Sequence, residues 1–239
     1  MVDRGKFIVI EGPDGVGKSE QARRLQARLV GLLPNGSMLT REPTDGPIGD
    51  LIRRALRCEI ELAPAAMAPL YAADRQHHVA TVIGPALARG AVVVCDRYDM
   101  SNMVYRAAEQ PVTECRQCGW NAWDEDAFVI VCPACSAGFL RLARFEALAY
   151  ARSLSNGITR ADMTIVLMAP LDVCAARRTA RGGGAELFDD NELQARVHAL
   201  YARPDKLSNG KRLAVVNADA VPDVVEQRIY SHVEEVLLG

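Results

Sequence analysis

The sequence lacks a long apolar run, a strong excess of one charge, an internal repeat and a low-complexity tract. No stretch approaches the roughly 20 apolar residues that a membrane-spanning helix needs, so we expect no membrane anchor. The formal net charge of −2 argues against a nucleic-acid coat protein, because phosphate backbones require a large cationic surface. Nucleic acid is therefore not expected as a partner.

The sequence pattern also predicts no signal peptide, because the first six residues lead directly into an apolar segment. We therefore expect a cytoplasmic protein. The 239 residues, 49% hydrophobic and 24% charged, suit one globular domain over 1–239 with a small elaboration. Seven cysteines would indicate disulfides in a small secreted protein, but four of them form two C-x-x-C pairs, which points to a metal.

Short apolar runs alternate with helix-length segments along the chain. The runs predicted to be strands are 7–10, 38–40, 92–95, 164–168 and 213–216. The segments predicted to be helical are 18–33, 66–89 with a break near Gly84, and 221–238. The alternation predicts an α/β fold with a parallel sheet of about five strands and helices on both faces. It lapses at about 109–138, which we interpret as an insertion within the domain.

A phosphate-binding loop lies between the first strand and the first helix. It fits G-x-x-x-x-G-K-[ST] with Gly12, Pro13, Asp14, Gly15, Val16, Gly17, Lys18 and Ser19. The glycines allow successive N–H groups to face phosphate oxygens, and the following helix adds its positive end. We expect Lys18 to reach the β- and γ-phosphates and Ser19 to bind Mg²⁺, which predicts ATP or GTP binding.

Four polar or aromatic residues further along suit an acceptor nucleotide. Arg75 and Arg97 follow elements that could aim their guanidinium groups at the phosphate loop, and arginine suits bidentate phosphate binding. Tyr71 offers a flat face for a base, and Asn102 offers the donor and acceptor that a pyrimidine edge needs. Each one alone is also compatible with a surface ion pair or a core aromatic residue.

Taken together, these segments resemble the thymidylate kinase family of P-loop nucleoside monophosphate kinases. The matching patterns are Glu-Gly-x-Asp-Gly-x-Gly-Lys-Ser-x-Gln, Arg-Glu-Pro, Ala-Asp-Arg and Asp-Arg-Tyr-x-x-Ser-Asn-x-x-Tyr. The resemblance covers nearly the whole chain except the insertion. It implies the three-layer P-loop NTPase fold and transfer of the ATP γ-phosphoryl group to dTMP with Mg²⁺.

The resemblance also implies a role for each matching residue. Asp14 would lie between the substrate ribose and the metal–phosphate network, and Asp96 would help Ser19 hold Mg²⁺. Tyr71 would stack on thymine, and Tyr105 would lie against the sugar, where a 2′-hydroxyl would crowd it. The implied substrate-binding set is Arg41, Tyr71, Arg75, Arg97, Asn102 and Tyr105.

A mobile lid at 177–190 is implied as well, with Arg177 and Arg181 spreading the charge that develops on the transferred group. One branch of the family carries an arginine at the position of Gly15, where this chain has glycine. We therefore expect the stabilising cation to come from the lid. The implied catalytic set is Asp14, Lys18, Arg97, Arg177 and Arg181.

The insertion carries two C-x-x-C turns, which predict a zinc ribbon with one structural Zn²⁺. The four ligands would be Cys115, Cys118, Cys132 and Cys135. Iron and a redox pair remain alternatives, and the insertion could instead dock a partner. The remaining cysteines, Cys58, Cys95 and Cys174, are expected to be buried, and His77 and His78 to be packing or surface residues.

Two other functions compete with dTMP phosphorylation. One is a sister kinase for another deoxynucleotide, such as a modified dUMP or dCMP. The other is a P-loop ATPase or inactive homologue that binds a partner through the zinc ribbon. Small-molecule nucleotides are the expected partners, and a homodimer remains open.

Overall fold

The computed structural model describes residues 3–123, 131–136, 138, 140–182, 187–208 and 212–238. The predicted insertion and lid are thus described in part, since 124–130, 137 and 183–186 lie outside these residues. Within the described ranges, no helix is both long and apolar enough to cross a bilayer.

The strands form two separate sheets. Their bounds are β1 Phe7–Glu11, β2 Ser37–Arg41, β3 Val92–Asp96, β4 Thr113–Cys115, β5 Asn121–Ala122, β6 Leu140–Arg141, β7 Met163–Met168 and β8 Leu213–Asn217. The central sheet has five parallel strands in the order β2-β3-β1-β7-β8. Every residue of β1 and β3 is buried, as all-apolar runs in a parallel sheet predict. The prediction of about five parallel strands is confirmed.

Helices cover both faces of this sheet. Their bounds are α1 Lys18–Val30, α2 Pro47–Leu56, α3 Pro64–His78, α4 Gly84–Ala88, α5 Asp99–Ala108, α6 Ala143–Ser153, α7 Leu171–Arg181, α8 Asn191–Tyr201, α9 Asp205–Ser208 and α10 Pro222–Leu238. A π-helical turn, Val79–Ile83, joins α3 to α4 in place of the break predicted near Gly84.

The side chains of β1 show how the three layers pack. Ile8 and Ile10 join the apolar cluster that contains Leu25 of α1 and Ile229 of α10. Phe7 and Val9 face the opposite cluster, which contains Leu87 of α4. This alternation follows from the period-2 geometry of a strand, and it confirms helices on both sides of the sheet.

The small sheet has the order β5-β4-β6 and is antiparallel. Glu114 of β4 pairs with Arg141 of β6 in the ladder, and Arg141 Nε also donates to Glu114 Oε2 at 2.7 Å. The small sheet thus extends past residue 138, where we expected the insertion to end. It joins α5 to α6, and these two helices pack on each other.

Candidate active site

The phosphate loop follows β1 at the carboxyl edge of the central sheet, where parallel α/β sheets bind ligands. Gly12, Gly15 and Gly17 have φ of 141°, 84° and 101°, a region that side chains rarely adopt. A Cβ at Gly15 would lie 2.2 Å from the Cys174 carbonyl oxygen of α7. The backbone therefore requires glycine at this position and leaves no room for an arginine.

Lys18 begins α1 and is buried. Its Nζ donates to the Pro13 carbonyl oxygen at 2.7 Å and lies 3.5 Å from Asp14 Oδ1. Burial and the nearby Arg97 lower the pKa of Lys18 to about 8, while Asp14 and Asp96 act in the opposite direction. The loop therefore holds a cation that an incoming phosphate would stabilise.

Asp14 is the centre of the polar network. Its carboxylate accepts hydrogen bonds from Arg97, from the Tyr105 hydroxyl at 2.5 Å and from Gln194 Nε2 at 3.4 Å. Burial alone would raise the pKa of Asp14, but Arg97, Lys18 and Tyr105 together hold it well below its usual range. Asp14 is therefore an ionised carboxylate in this site.

Arg97 is held in a fixed orientation. It has φ of 69°, a left-handed conformation that costs a non-glycine residue about 1–2 kcal/mol. Its backbone N–H donates to the Ile10 carbonyl oxygen at 2.9 Å, and its Nη1 donates to Ser101 Oγ at 3.0 Å. With Asp14 on the other side, the guanidinium has little freedom to turn.

Behind Arg97 lies a buried carboxylate, Glu11, at the end of β1. It accepts from the Tyr98 backbone N–H at 2.9 Å, from Ser101 Oγ at 2.6 Å and from the Tyr201 hydroxyl at 2.8 Å. The Glu11 network therefore links β1, α5 and α8 beneath the site. Sequence reasoning missed Glu11 as a functional residue, although it opens the segment that resembles the family.

Arg75 lies on α3 and is only 1% exposed. Its Nε donates to Glu42 Oε2 at 2.9 Å, and its Nη2 donates to the Tyr98 carbonyl oxygen at 3.0 Å. Burial would lower the pKa of Arg75, but Glu42 and other neighbours raise it, so the group stays cationic. Among the described residues, Nη1 has no hydrogen-bond partner.

One cavity of about 230 Å³ collects most of the predicted substrate residues. The predicted residues on its wall are Asp14, Tyr71, Arg75, Arg97, Asn102, Tyr105 and Arg181. Asn102 is buried and its Nδ2 donates to the Ala68 carbonyl oxygen at 3.3 Å. Phe188 and Asp189 close the wall on the lid side.

Arg41 is separated from this cavity. It lines a neighbouring cleft together with Ser19 and Asp96, and its Nη2 donates to Asp45 at 2.8 Å. In that cleft, Ser19 Oγ donates to Asp96 Oδ2 at 2.5 Å. Asp96 Oδ1 is buried without a hydrogen-bond partner among the described residues. The two residues predicted to bind Mg²⁺, Ser19 and Asp96, are therefore in direct contact.

The arginines of α7 point in different directions. Arg181 lines the cavity, and its charge contributes to the lowered pKa of Asp14. Arg177 Nη1 instead faces the carbonyl oxygens of Ala218 and Val16, at 3.3 and 3.5 Å. Arg178, which sequence reasoning missed, donates to the Asp14 carbonyl oxygen at 3.3 Å.

The four predicted metal cysteines form one cluster, with all sulfurs within 4.8 Å of one another. Cys115 and Cys135 Sγ are 3.7 Å apart, and Cys118 and Cys132 Sγ are 3.6 Å apart. Backbone N–H groups, above all that of Cys118, lower the pKa of Cys115 to about 7. Cys115 therefore favours the thiolate, the form that binds metal.

The prediction of buried positions is confirmed for Cys95 and Cys174 but is wrong for Cys58, which is exposed. Cys58 follows the end of α2 in a turn with φ of 57°, and this turn directs it away from the core. His77 is exposed, whereas His78 is only 2% exposed and fully hydrogen-bonded.

Comparison with known proteins gives a consistent result. The family model described as thymidylate kinase matches residues 10–144, a range that includes all four clustered cysteines. The thymidylate kinase of Thermomicrobium roseum is 33% identical over 97% of this chain and 95% of its own length. That of Geobacter sulfurreducens is 36% identical over 94% of this chain and 98% of its own.

A solved structure shares the fold. The thymidylate kinase of Candida albicans has a TM-score of 0.71 and 23% identity, covering 97% of this chain and 92% of that one. The family match spans more than half of the chain, and the curated relatives cover nearly all of it. The chain belongs to the thymidylate kinase family.

Proposed function

We propose that the chain transfers the γ-phosphoryl group of ATP to dTMP, giving ADP and dTDP. The observation that carries the proposal is the cavity in which Asp14, Arg75 and Arg97 lie beside Tyr71 and meet the phosphate loop. A P-loop ATPase has no need of such a second nucleotide pocket. The relatives named above are thymidylate kinases, which supports the same acceptor.

The acceptor phosphate would bind at the arginine end of the cavity. Arg75 lines this wall and its Nη1 has no hydrogen-bond partner among the described residues, while Arg97 is fixed by Asp14 and Ser101. Two pre-oriented guanidinium groups suit a phosphate monoester, because they lose little freedom on binding. The in-line transfer needs no covalent enzyme intermediate.

The base and sugar would occupy the other end. Tyr71 offers a stacking face, and Asn102 offers amide groups to a pyrimidine edge. Tyr105 stands beside the sugar position, where a 2′-hydroxyl would be crowded. These contacts support a deoxynucleotide with a pyrimidine base.

The donor triphosphate would lie on the phosphate loop. Lys18 supplies a buried cation there, and Arg181 approaches from α7. Gly15 carries no side chain. Stabilisation of the charge that develops on the transferred group therefore depends on Lys18, Arg97 and the α7 arginines. Arg177 contributes only if α7 or the lid moves, since it now faces backbone carbonyls.

Mg²⁺ fits the Ser19–Asp96 pair, because hydroxyl and carboxylate oxygens are its preferred ligands and Asp96 Oδ1 is free of other partners among the described residues. When bound, the ion would neutralise phosphate charge.

Zn²⁺ fits the cysteine cluster. Four sulfurs at about 2.3 Å from a central ion form a tetrahedron with edges of about 3.8 Å. The observed Sγ separations of 3.6 and 3.7 Å are close to that edge. Four sulfurs complete the tetrahedron, so the ion would be structural and would stabilise a small sheet that has little core of its own.

A panel of nucleoside monophosphates tests the function. Purified protein is incubated with ATP, Mg²⁺ and each of dTMP, dUMP, dCMP, dAMP, dGMP and UMP, and ADP release is coupled to an optical signal. We expect dTMP to give the highest kcat/KM. Faster turnover of another deoxynucleotide would favour a sister kinase, and ADP release that is independent of any acceptor would favour an ATPase.

A further inference from the structure

A buried line of hydrogen bonds connects the Mg²⁺-side cleft to the acceptor cavity. Thr40 Oγ1 lies 2.6 Å from His78 Nε2, and His78 Nδ1 lies 3.1 Å from Glu42 Oε1. Glu42 Oε2 accepts from Arg75 Nε at 2.9 Å. The side chains of His78, Glu42 and Arg75 are 1%, 2% and 1% exposed. Solvent therefore cannot replace the contacts that Glu42 makes with His78 and Arg75.

The chemistry of the groups fixes the direction of the bonds. An ionised carboxylate only accepts, so His78 Nδ1 carries the proton that points at Glu42. The other ring nitrogen, Nε2, contacts the Thr40 hydroxyl, which can either donate or accept. The ring is thus held at both nitrogens, and it holds one oxygen of Glu42.

Glu42 divides its two oxygens between two partners. Oε1 faces His78 and Oε2 faces Arg75. The terminal torsion of a glutamate has a broad energy profile, so the carboxylate plane is set by its hydrogen bonds and not by a rotamer well. Without the His78 donor, the plane is free to turn, and Arg75 loses its fixed acceptor.

We propose that His78 is a positioning residue for Arg75, acting through Glu42. Together, His78 and Glu42 fix the orientation of the Arg75 guanidinium, and Arg75 lines the acceptor cavity. This inference rests on the proposed function in so far as Arg75 binds the acceptor nucleotide. His78 itself does not line the acceptor cavity, so its effect on acceptor binding is indirect.

Substitutions at this position separate the two nitrogens of the ring. An asparagine at His78 places its amide N–H₂ near the place of Nδ1, whereas a glutamine reaches the place of Nε2. His78→Asn therefore keeps the donor to Glu42, and His78→Gln and His78→Leu remove it. His77→Leu, on the same helix but exposed, is the matched control.

We expect His78→Leu and His78→Gln to raise the KM for dTMP about tenfold, the size expected for a weakened charge-assisted hydrogen bond. The KM for ATP and kcat should change less than about twofold. His78→Asn should keep the KM for dTMP within about threefold, and His77→Leu should leave it unchanged. A residue that only packs the core would affect both substrates through loss of folded protein.

A second measurement needs no catalysis. The Arg75 Nε–H resonance is recorded by ¹⁵N NMR in nucleotide-free protein, with assignment through Arg75→Lys. It should shift and broaden in His78→Leu but not in His78→Asn or His77→Leu. An unchanged resonance in His78→Leu overturns the positioning role. If the resonance moves as expected while wild-type protein fails to phosphorylate dTMP, the proposed function is wrong and the positioning role stands.

Discussion

The Tyr105 hydroxyl donates a hydrogen bond of 2.5 Å to Asp14 Oδ2 and so joins α5 to the phosphate loop. The Tyr105 ring also lies 5.2 Å from the Phe188 ring and 5.6 Å from the Arg97 guanidinium. The ring is held on three sides, so the face that it presents to the cavity is fixed. Burial raises the pKa of Tyr105 beyond the physiological range, so we expect the bulk of its ring, and not its ionisation, to act on the sugar.

Removing the Tyr105 ring should weaken discrimination between sugars. Wild-type protein should prefer dTMP over UMP, and Tyr105→Ala should narrow that gap by making room for a 2′-hydroxyl. Steady-state kcat/KM for both nucleotides measures the ratio, with Tyr150→Ala on the exposed face of α6 as control. Equal use of UMP and dTMP by the wild type would show that the roles of Tyr71 and Tyr105 are wrongly assigned.

Loss of the phosphate-loop cation should abolish transfer. Lys18→Ala should reduce kcat/KM by a factor of about 10² to 10³, because the lysine stabilises phosphate charge that develops in the transition state. The far-ultraviolet circular dichroism spectrum should stay that of the wild type. A variant that retains more than about a tenth of the wild-type rate would contradict the phosphate-loop assignment.

The lowered pKa of Lys18 predicts a pH dependence. Only the protonated lysine attracts phosphate, and the free protein loses that proton near pH 8. The kcat/KM for ATP should therefore fall as the pH rises above about 8, whereas kcat should persist to higher pH because bound phosphate stabilises the ammonium. In Lys18→Arg the decline should disappear, since a guanidinium stays charged. A flat wild-type profile up to pH 9.5 would refute this.

Gln194 should help to hold the cavity closed on its lid side. Its Nε2 donates to the Phe188 carbonyl oxygen at 2.8 Å as well as to Asp14, so it connects the lid side to the phosphate loop. Gln194→Ala removes both bonds and should lower kcat/KM for dTMP about tenfold. Gln26→Ala, at a partly exposed position on α1, serves as the control. Wild-type kinetics in Gln194→Ala would show that Phe188 is held by packing alone.

Zinc removal should affect the small sheet before the phosphate site. We expect one Zn²⁺ per chain by elemental analysis, lost in Cys118→Ser but retained in Cys58→Ser, whose thiol lies outside the cluster. Chelation should change the fluorescence of Trp123, whose ring lies 4.3 Å from the Arg196 guanidinium, and should expose residues near 109–138 to protease.

Phosphoryl transfer should survive chelation at least in part, since the cavity residues lie outside the cluster. Zinc well below one equivalent in protein purified without chelator would argue against the ribbon. Complete loss of activity with an intact fold would mean that the insertion reaches the active site. Trp123 contacts Arg196, and Arg196 Nε donates to the Ala108 carbonyl oxygen at 2.9 Å, so this arginine joins the insertion to α5.

Local patterns were sufficient for the sheet and the phosphate loop. Strands buried on both faces, such as β1 and β3, have an apolar signature that needs no knowledge of their neighbours. Each of the five predicted runs is a strand, including the more exposed edge strands β2 and β8. The cysteine cluster was equally predictable from the sequence, because C-x-x-C spacing alone brings two sulfurs together.

Residues that act through partners distant in the sequence could not be predicted in the same way. Glu11, Gln194 and Tyr201 obtain their roles from contacts with side chains 90 to 190 positions away, which no local spacing encodes. His78 did offer a signal, since it lies three residues after Arg75 and therefore on the same face of α3. The exposed Cys58 was mispredicted because burial depends on the turn after α2 and not on residue type.

The close approach of Gly15 to α7 has an evolutionary consequence. With the Cys174 carbonyl oxygen 2.2 Å from any Cβ at this position, a cation cannot be added to the loop by a single substitution. In this backbone, an arginine in the loop is incompatible with the present position of α7. A descendant of this chain that gains an arginine in the loop must first shift α7 outward, so a change in helix packing has to precede the change in loop sequence.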